Sequence, residues 1–142
     1  MKKKIAIRSA LAAGAAVLVM VPAAVAASGT TVTVQVQGQS KTLLAATSVT
    51  LGSGSVTKGG VAAGKCPADT AQGALNVATH GHWNGKWYAS YNEYYITGIL
   101  GENETGKKYY WGLYVNGKLA SKGACDVKLT SGEKILFKVT KS

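Results

Sequence analysis

With 142 residues, of which 15% are charged, the chain has room for one domain of ordinary size around a single core. Its formal charge of +10 is carried almost wholly by lysine, Arg8 being the sole arginine. That tells against nucleic-acid recognition, which favours the bidentate guanidinium fork, and the scattered lysines read as a solvated surface with a weak pull toward anionic cell-wall or membrane surfaces.

The N-terminus has the three parts of an export signal. Lys2, Lys3, Lys4 and Arg8 form a positive start, Ala10 to Val21 an apolar stretch, and Ala24-Val25-Ala26 a small-residue cleavage site. The apolar run is too short and too alanine-rich for a membrane anchor, which takes about 20 strongly apolar residues. Residues 1–26 are therefore expected to be a signal peptide and residues 27–142 a single exported domain, secreted and not membrane-spanning after cleavage. Losing the four basic residues lowers the basic count from 16 to 12 and the charge from +10 to +6.

Along the mature chain, Thr31 to Gln37 alternates strictly, with Val32, Val34 and Val36 turned to a core. Gly38-Gln39 is expected to be a tight turn with Gly38 at positive φ, and Lys41-Thr42-Leu43-Leu44 begins the return strand of a hairpin. A further short strand is expected at Ser48 to Leu51. Residues 52–66 are rich in Gly and Ser and read as a loop. Asp69 or Thr70 can cap a helix in which Ala71, Ala74, Leu75 and Ala78 form one apolar stripe. Gly73 weakens that helix by about 1 kcal/mol, so the helix needs a sheet to lie on.

Tyr109 to Val115 reads as a strong strand, Asn116-Gly117 as a type I′ turn and Lys118-Leu119-Ala120 as the return. A turn at Thr130 to Glu133 precedes a last strand with Ile135, Phe137 and Val139 inward. A hairpin, a helix and at least three more strands make an α+β fold, one helix packed on a mostly antiparallel sheet. Lys and Thr suit its edge strands. Cys66 and Cys125 are the only cysteines; an isolated pair in an oxidising compartment is expected to form one disulfide, worth about 4 kcal/mol for a loop of this length.

The segment WGLYVNGKLASKGACDVKLTSGEKILF, Trp111 to Phe137, resembles the transcobalamin-like C-terminal domain family, small β-grasp-type modules of exported bacterial proteins and of animal cobalamin carriers. Trp111, Tyr114, Val115, Asn116, Gly117, Gly123 and Ala124 match its pattern, and Gly132-Glu133-Lys134-Ile135 matches with Glu for the usual Asp. TVTVQVQGQSKTLL resembles the family's opening hairpin, CPADTAQGALNVAT its helix segment and YYITGILGE a later strand. The resemblance implies a β-grasp-like fold and a corrinoid or similar small ligand, cobalamin being the candidate, with no resident cofactor. In the animal carriers this domain is one of two that close over the corrinoid.

No motif points to an enzyme. The six acids carry no paired-carboxylate signature, Glu93 with Glu102 or Glu104 being a guess, and no nucleophile motif surrounds any Ser. His80 and His82 lack a third ligand nearby and read as exposed loop histidines, not as a metal site.

The rings carry the main functional signal, since ten of the eleven aromatic residues lie between Trp83 and Tyr114. Trp111, Leu113 and Val115 share one strand face and are expected in the core. Tyr110, Gly112 and Tyr114 share the other, an outward tyrosine strip with room left at Gly112. Trp83, Trp87, Tyr88 and Tyr91 are expected on a loop broken at Asn84-Gly85, as a recognition surface or a lid on the sheet. The ligand-binding candidates are Trp83, Trp87, Tyr88, Tyr110, Trp111, Tyr114 and Asn116. The expectation is a non-catalytic binding module for a small ligand, the alternative being a cell-wall, carbohydrate or protein-interaction module with a cell-surface partner.

Overall fold

A computed structural model describes residues 29–58, 66–104 and 106–142. The expected export signal, residues 1–26, lies outside the described residues. The alternation in TVTVQVQ builds β1 (Thr31–Gln37), with Val32, Val34 and Val36 buried. The chain returns as β2 (Thr42–Thr50), antiparallel to β1. The separate strand expected at Ser48 to Leu51 is instead the second half of β2, because register shifts around Val36 absorb the irregularity without ending the pairing.

The turn itself differs from expectation. Gly38 does not take a left-handed backbone. A Cβ there would sit 2.5 Å from Glu102 Oε1, and the Glu102 carboxylate accepts a hydrogen bond from Gln39 N–H at 2.8 Å. Close approach of a carboxylate, not φ, accounts for glycine at this position. The Gly/Ser-rich stretch is also not wholly loop, since β3 (Ser55–Val56) pairs with β4 (Cys66–Pro67).

The helix α1 (Ala71–Ala78) starts at Thr70, whose hydroxyl accepts from Gly73 N–H at 3.5 Å. Its stripe is buried as expected. The first N–H groups of a helix have no partner within it; here Val127 O accepts from Ala71 N–H at 2.9 Å and Ala124 O from Gln72 N–H at 3.1 Å. The segment after residue 120 thus wraps the helix start, and Cys66–Cys125 fastens it there with Cα atoms 5.0 Å apart. The expected disulfide is present.

After the helix comes a second sheet of β5 (Trp83–Tyr88), β6 (Glu93–Ile99) and β7 (Glu102–Asn103), in that order. The Trp83–Tyr88 stretch, expected as a loop, is a strand: Asn84-Gly85 is a point of register shift against β6, not a turn. β8 (Tyr109–Val115), a hairpin turn with positive φ at Asn116 and Gly117, and β9 (Lys118–Leu119) follow as expected. The chain closes with β10 (Lys134–Lys141).

The main sheet has the order β2-β1-β10-β8-β9, every pair antiparallel except the central β1–β10 pair. A central parallel pair of first and last strands, flanked by β2 on one side and β8 on the other, is the expected β-grasp-like α+β arrangement. On the inner face α1 packs against β1 and β2, while β6 approaches β8.

Gly73 tests packing against propensity. A Cβ at this position would overlap the Ala68 carbonyl. Helix propensity alone gives Gly73→Ala a gain of about 1 kcal/mol; the expected result in chemical denaturation is instead a loss of at least about 2 kcal/mol.

Candidate functional site

Two sheets that meet without merging leave space between them. β7 pairs only with Gly98 and Ile99 of β6, and β9 only with Tyr114 and Val115 of β8. The remaining lengths of β6 and β8 enclose a cavity of about 450 Å³. Its walls are Tyr94 and Ile96 from β6, Trp111 and Leu113 from β8, Phe137 from β10, and Ala120, Gly123 and Ala124 from the segment after β9. Tyr88, Tyr91 and Tyr95 stand at its mouth, Tyr91 being 74% exposed.

The wall is mostly rings because β6 alternates. Tyr94 and Ile96 turn inward and are buried, while Tyr95 turns out. Tyr94 is held from behind by Trp83 (centroids 5.2 Å apart) and Trp87 (4.8 Å), both edge-on. Its hydroxyl accepts from Lys58 N–H at 2.8 Å. Such a ring is a rigid wall, since packing and a hydrogen bond both fix its rotamer.

One acidic side chain enters this apolar setting. Glu93, the first residue of β6, lines the cavity, and its Oε1 accepts from Cys125 N–H at 2.6 Å. Its Oε2 is out of solvent and receives no donor. Gly123 lies against this carboxyl so closely that any Cβ there would overlap it. Burial pushes the Glu93 pKa from its ordinary 4.5 up to about 7; the Cys125 N–H opposes the shift, and the neighbouring Asp126 carboxylate adds to it. Trp111, on the facing strand, has its indole N–H buried without a partner.

Of the sequence candidates, Tyr88, Tyr110 and Trp111 meet at the cavity. The structure places the others elsewhere. Trp83 is 1% exposed and donates its indole N–H to Asn76 Oδ1 at 2.9 Å, so it is core. Trp87 is half-buried behind Tyr94. Tyr114 bonds Thr140 Oγ1 at 3.1 Å, and the room expected at Gly112 is filled, because a Cβ there would meet Thr140 Oγ1 at 2.5 Å and the Tyr114 ring at 3.2 Å. Asn116 serves the turn: its Oδ1 accepts from Lys134 N–H at 2.9 Å and ties the hairpin to β10.

The acids separate in the same way. Glu102 and Glu104 are engaged with Gln39 and Tyr95, leaving Glu93 paired with neither. Among the described residues no three His, Cys, Asp or Glu side chains come together as a metal site; His80 and His82 are exposed. Glu93, Tyr94 and Ala120 line the cavity but were not singled out as binding residues from sequence, and the one available signal was Glu93 at the start of a ring-rich strand.

The model of a domain of unknown function, DUF4430, matches residues 69–141, from the helix start through β10. The chain belongs to this family. No curated protein matches it. Among solved structures, the fold of this DUF4430 protein is similar to that of a candidate metal-binding protein of Ruminococcus gnavus ATCC 29149, with a TM-score of 0.55 and 12% identity over 80% of this chain and 98% of that one. It is also similar to haptocorrin in complex with Cbi, with a TM-score of 0.56 and 18% identity over 80% of this chain. The shared region is 26% of the haptocorrin chain, so this protein spans about a quarter of that structure. Both likenesses concern the fold.

Glu93 makes stability depend on pH in a defined direction. Its raised pKa means that the folded state holds a proton which the unfolded state has released between pH 4.5 and about 7. Its contribution therefore falls as pH rises through that window and stays low above it. Melting temperature is expected to drop across the window in the native protein, and Glu93→Gln, whose amide oxygen still accepts from Cys125 N–H, is expected to flatten that drop. An unchanged pH profile in the variant would remove Glu93 as its source.

Proposed function

We propose that the protein is an exported, non-catalytic binding module that takes a small, largely apolar ligand into the cavity between β6 and β8. The cavity carries the reading: about 450 Å³ lies within the range of roughly 300–1,000 Å³ common for small-molecule sites. Its lining has the usual make-up of such sites, with rings and aliphatic groups for contact and a few polar atoms to orient what enters. The disulfide and the signal-like N-terminus support export.

A corrinoid is the named ligand that the resemblance and the likeness to haptocorrin support. The cavity has room for part of such a molecule, the remainder lying over Tyr88 and Tyr91 at the mouth. A flat sugar-binding platform has less support, since Tyr88 and Tyr95 meet edge-on at 88° instead of lying in one plane.

Two measurements test the module. The neutral planar dye Nile red is expected to gain fluorescence with the mature protein, and Ala120→Trp, which places a ring in the cavity from its half-buried wall, is expected to weaken it at least about tenfold, or 1.4 kcal/mol. Cobalamin is expected to co-migrate with the native protein on a sizing column and to elute free from the same variant. Equal dye binding by both proteins would place the ligand site elsewhere; dye binding without co-migration would remove the corrinoid and keep the cavity.

A further inference from the structure

The cavity is apolar within and rich in donors at its mouth. Rings and aliphatic groups of Tyr94, Ile96, Trp111, Leu113 and Phe137 make the inner wall. The acid in that wall is closed to a ligand's charge: Glu93 Oε1 already holds Cys125 N–H at 2.6 Å, and Oε2 has no exposed surface. Trp111 likewise keeps its indole N–H out of solvent. What selects a ligand's polar end therefore lies where the cavity opens.

Two lysines stand there, on different elements. Lys122, in the segment after β9, lines the cavity while remaining exposed, the placement in which a lysine stem covers apolar wall and its ammonium stays in water. Lys86, on β5, holds its Nζ 5.3 Å from the centroid of the Tyr88 ring, and Tyr88 is a residue of the mouth. An ammonium offers three donors and no acceptor, and a phenol hydroxyl can also donate. Tyr95, another ring at the mouth, shows that use, since its O–H donates to Glu104 Oε2 at 3.0 Å. Of the two acids nearby, Glu104 is thus taken by Tyr95, and Glu93 is largely protonated below about pH 7. The exposed side chains of Tyr88, Tyr91, Tyr95 and Leu119 also gather at this one opening. The lysines therefore stand beside apolar surface, where an ion pair is screened less than in open water.

Resting on the reading of this cavity as a ligand site, we propose that it selects an amphipathic anion, with an apolar ring or chain inside against Tyr94, Trp111 and Phe137 and a single carboxylate, sulfonate or phosphate left at the mouth facing Lys122 and Lys86. The apolar part supplies most of the affinity, and the lysines decide which end stays out. The anionic group keeps part of its water, so it escapes the large desolvation penalty of a buried ion. An amine of the same shape would set like charge against both lysines.

The test uses two dyes with the same ring system: anilinonaphthalene sulfonate, an anion, and N-phenylnaphthylamine, which lacks the sulfonate and is neutral. Both brighten in apolar surroundings. The readout is the ratio of their affinities for the full mature protein at about pH 6, where Glu93 holds its proton. Lys86→Gln combined with Lys122→Gln is expected to lower that ratio about fivefold, through weaker binding of the sulfonate dye alone. Lys128→Gln combined with Lys134→Gln removes the same charge away from the cavity and is expected to leave the ratio unchanged. All four lysines are exposed, so these variants keep the fold. Raising salt to about 0.5 M is expected to bring the native ratio toward that of the mouth variant, and Ala120→Trp is expected to weaken both dyes. A ratio unchanged by the mouth substitutions, or lowered as much by the control pair, overturns the anion assignment and leaves the cavity reading standing. If neither dye brightens, or if Ala120→Trp weakens neither, the cavity reading and the anion assignment fall together.

Discussion

The parallel pairing of β1 with β10 is the constraint on which the rest of the structure depends. Val34 stands beside Ile135 and Val36 beside Phe137 at the middle of the main sheet, all four buried. A parallel pair cannot be closed by a tight turn, so everything between these strands forms one long excursion that must return to the same core. Each central strand takes one antiparallel partner on its outer side, β1 its hairpin strand β2 and β10 the earlier strand β8. What remains, the helix and the second sheet, has only the inner face left to cover. α1 takes the β1–β2 half with small alanines, and the second sheet takes the β8 half with rings.

The segment from Ala120 to Leu129 makes that excursion hold together. It has almost no regular structure, yet its carbonyls at Ala124 and Val127 satisfy the helix start, and Leu129 N–H donates to Asp69 O at 3.0 Å. Cys125 sits between those contacts and is joined to Cys66 on β4. A loop with so many external partners behaves as part of the core, because leaving those helix N–H groups unpaired would cost more than ordering the loop. The same rigidity delivers Cys125 N–H, Gly123 and Asp126 to Glu93. The helix cap, the disulfide and the polar end of the cavity are therefore one mechanical unit.

Legibility in the sequence followed the range of the interactions. β1, the helix stripe, β8 and the Asn116-Gly117 turn were readable because each is set by neighbours a few residues apart: period-two valines, i to i+4 alanines, a dipeptide with a strong turn preference. The second sheet was not, since Asn84-Gly85 carries the same dipeptide chemistry as a turn and only pairing with β6 turns it into a shifted strand. The rings concentrated in one part of the sequence, but dividing them between core and cavity needed contacts that sequence spacing does not encode. Trp83 and Trp87 went behind Tyr94; Tyr88 and Trp111 went to the cavity from strands on opposite sides of it. Glu93 and Asp126 are brought together by a loop that the disulfide holds, so no local motif marks them.

The burial of Glu93 is costly in a way the fold does not itself require. Its structural duty, accepting from Cys125 N–H, needs one oxygen, and a neutral amide would provide it. A carboxyl there adds a second acceptor without a donor, beside another carboxylate, in a wall otherwise made of rings. Replacing such a group by a neutral one of the same size is commonly stabilising, and groups held far from their ordinary pKa collect where proteins bind and react. Trp111 repeats the pattern on the facing strand, with an indole N–H shut away from solvent where a phenyl ring would fill similar space without the loss. Gln72 and Trp87, away from the cavity, also carry buried side-chain atoms without partners. The support for a ligand site therefore lies in where Glu93 and Trp111 stand, on facing strands of one ring-lined cavity, and not in their missing partners alone.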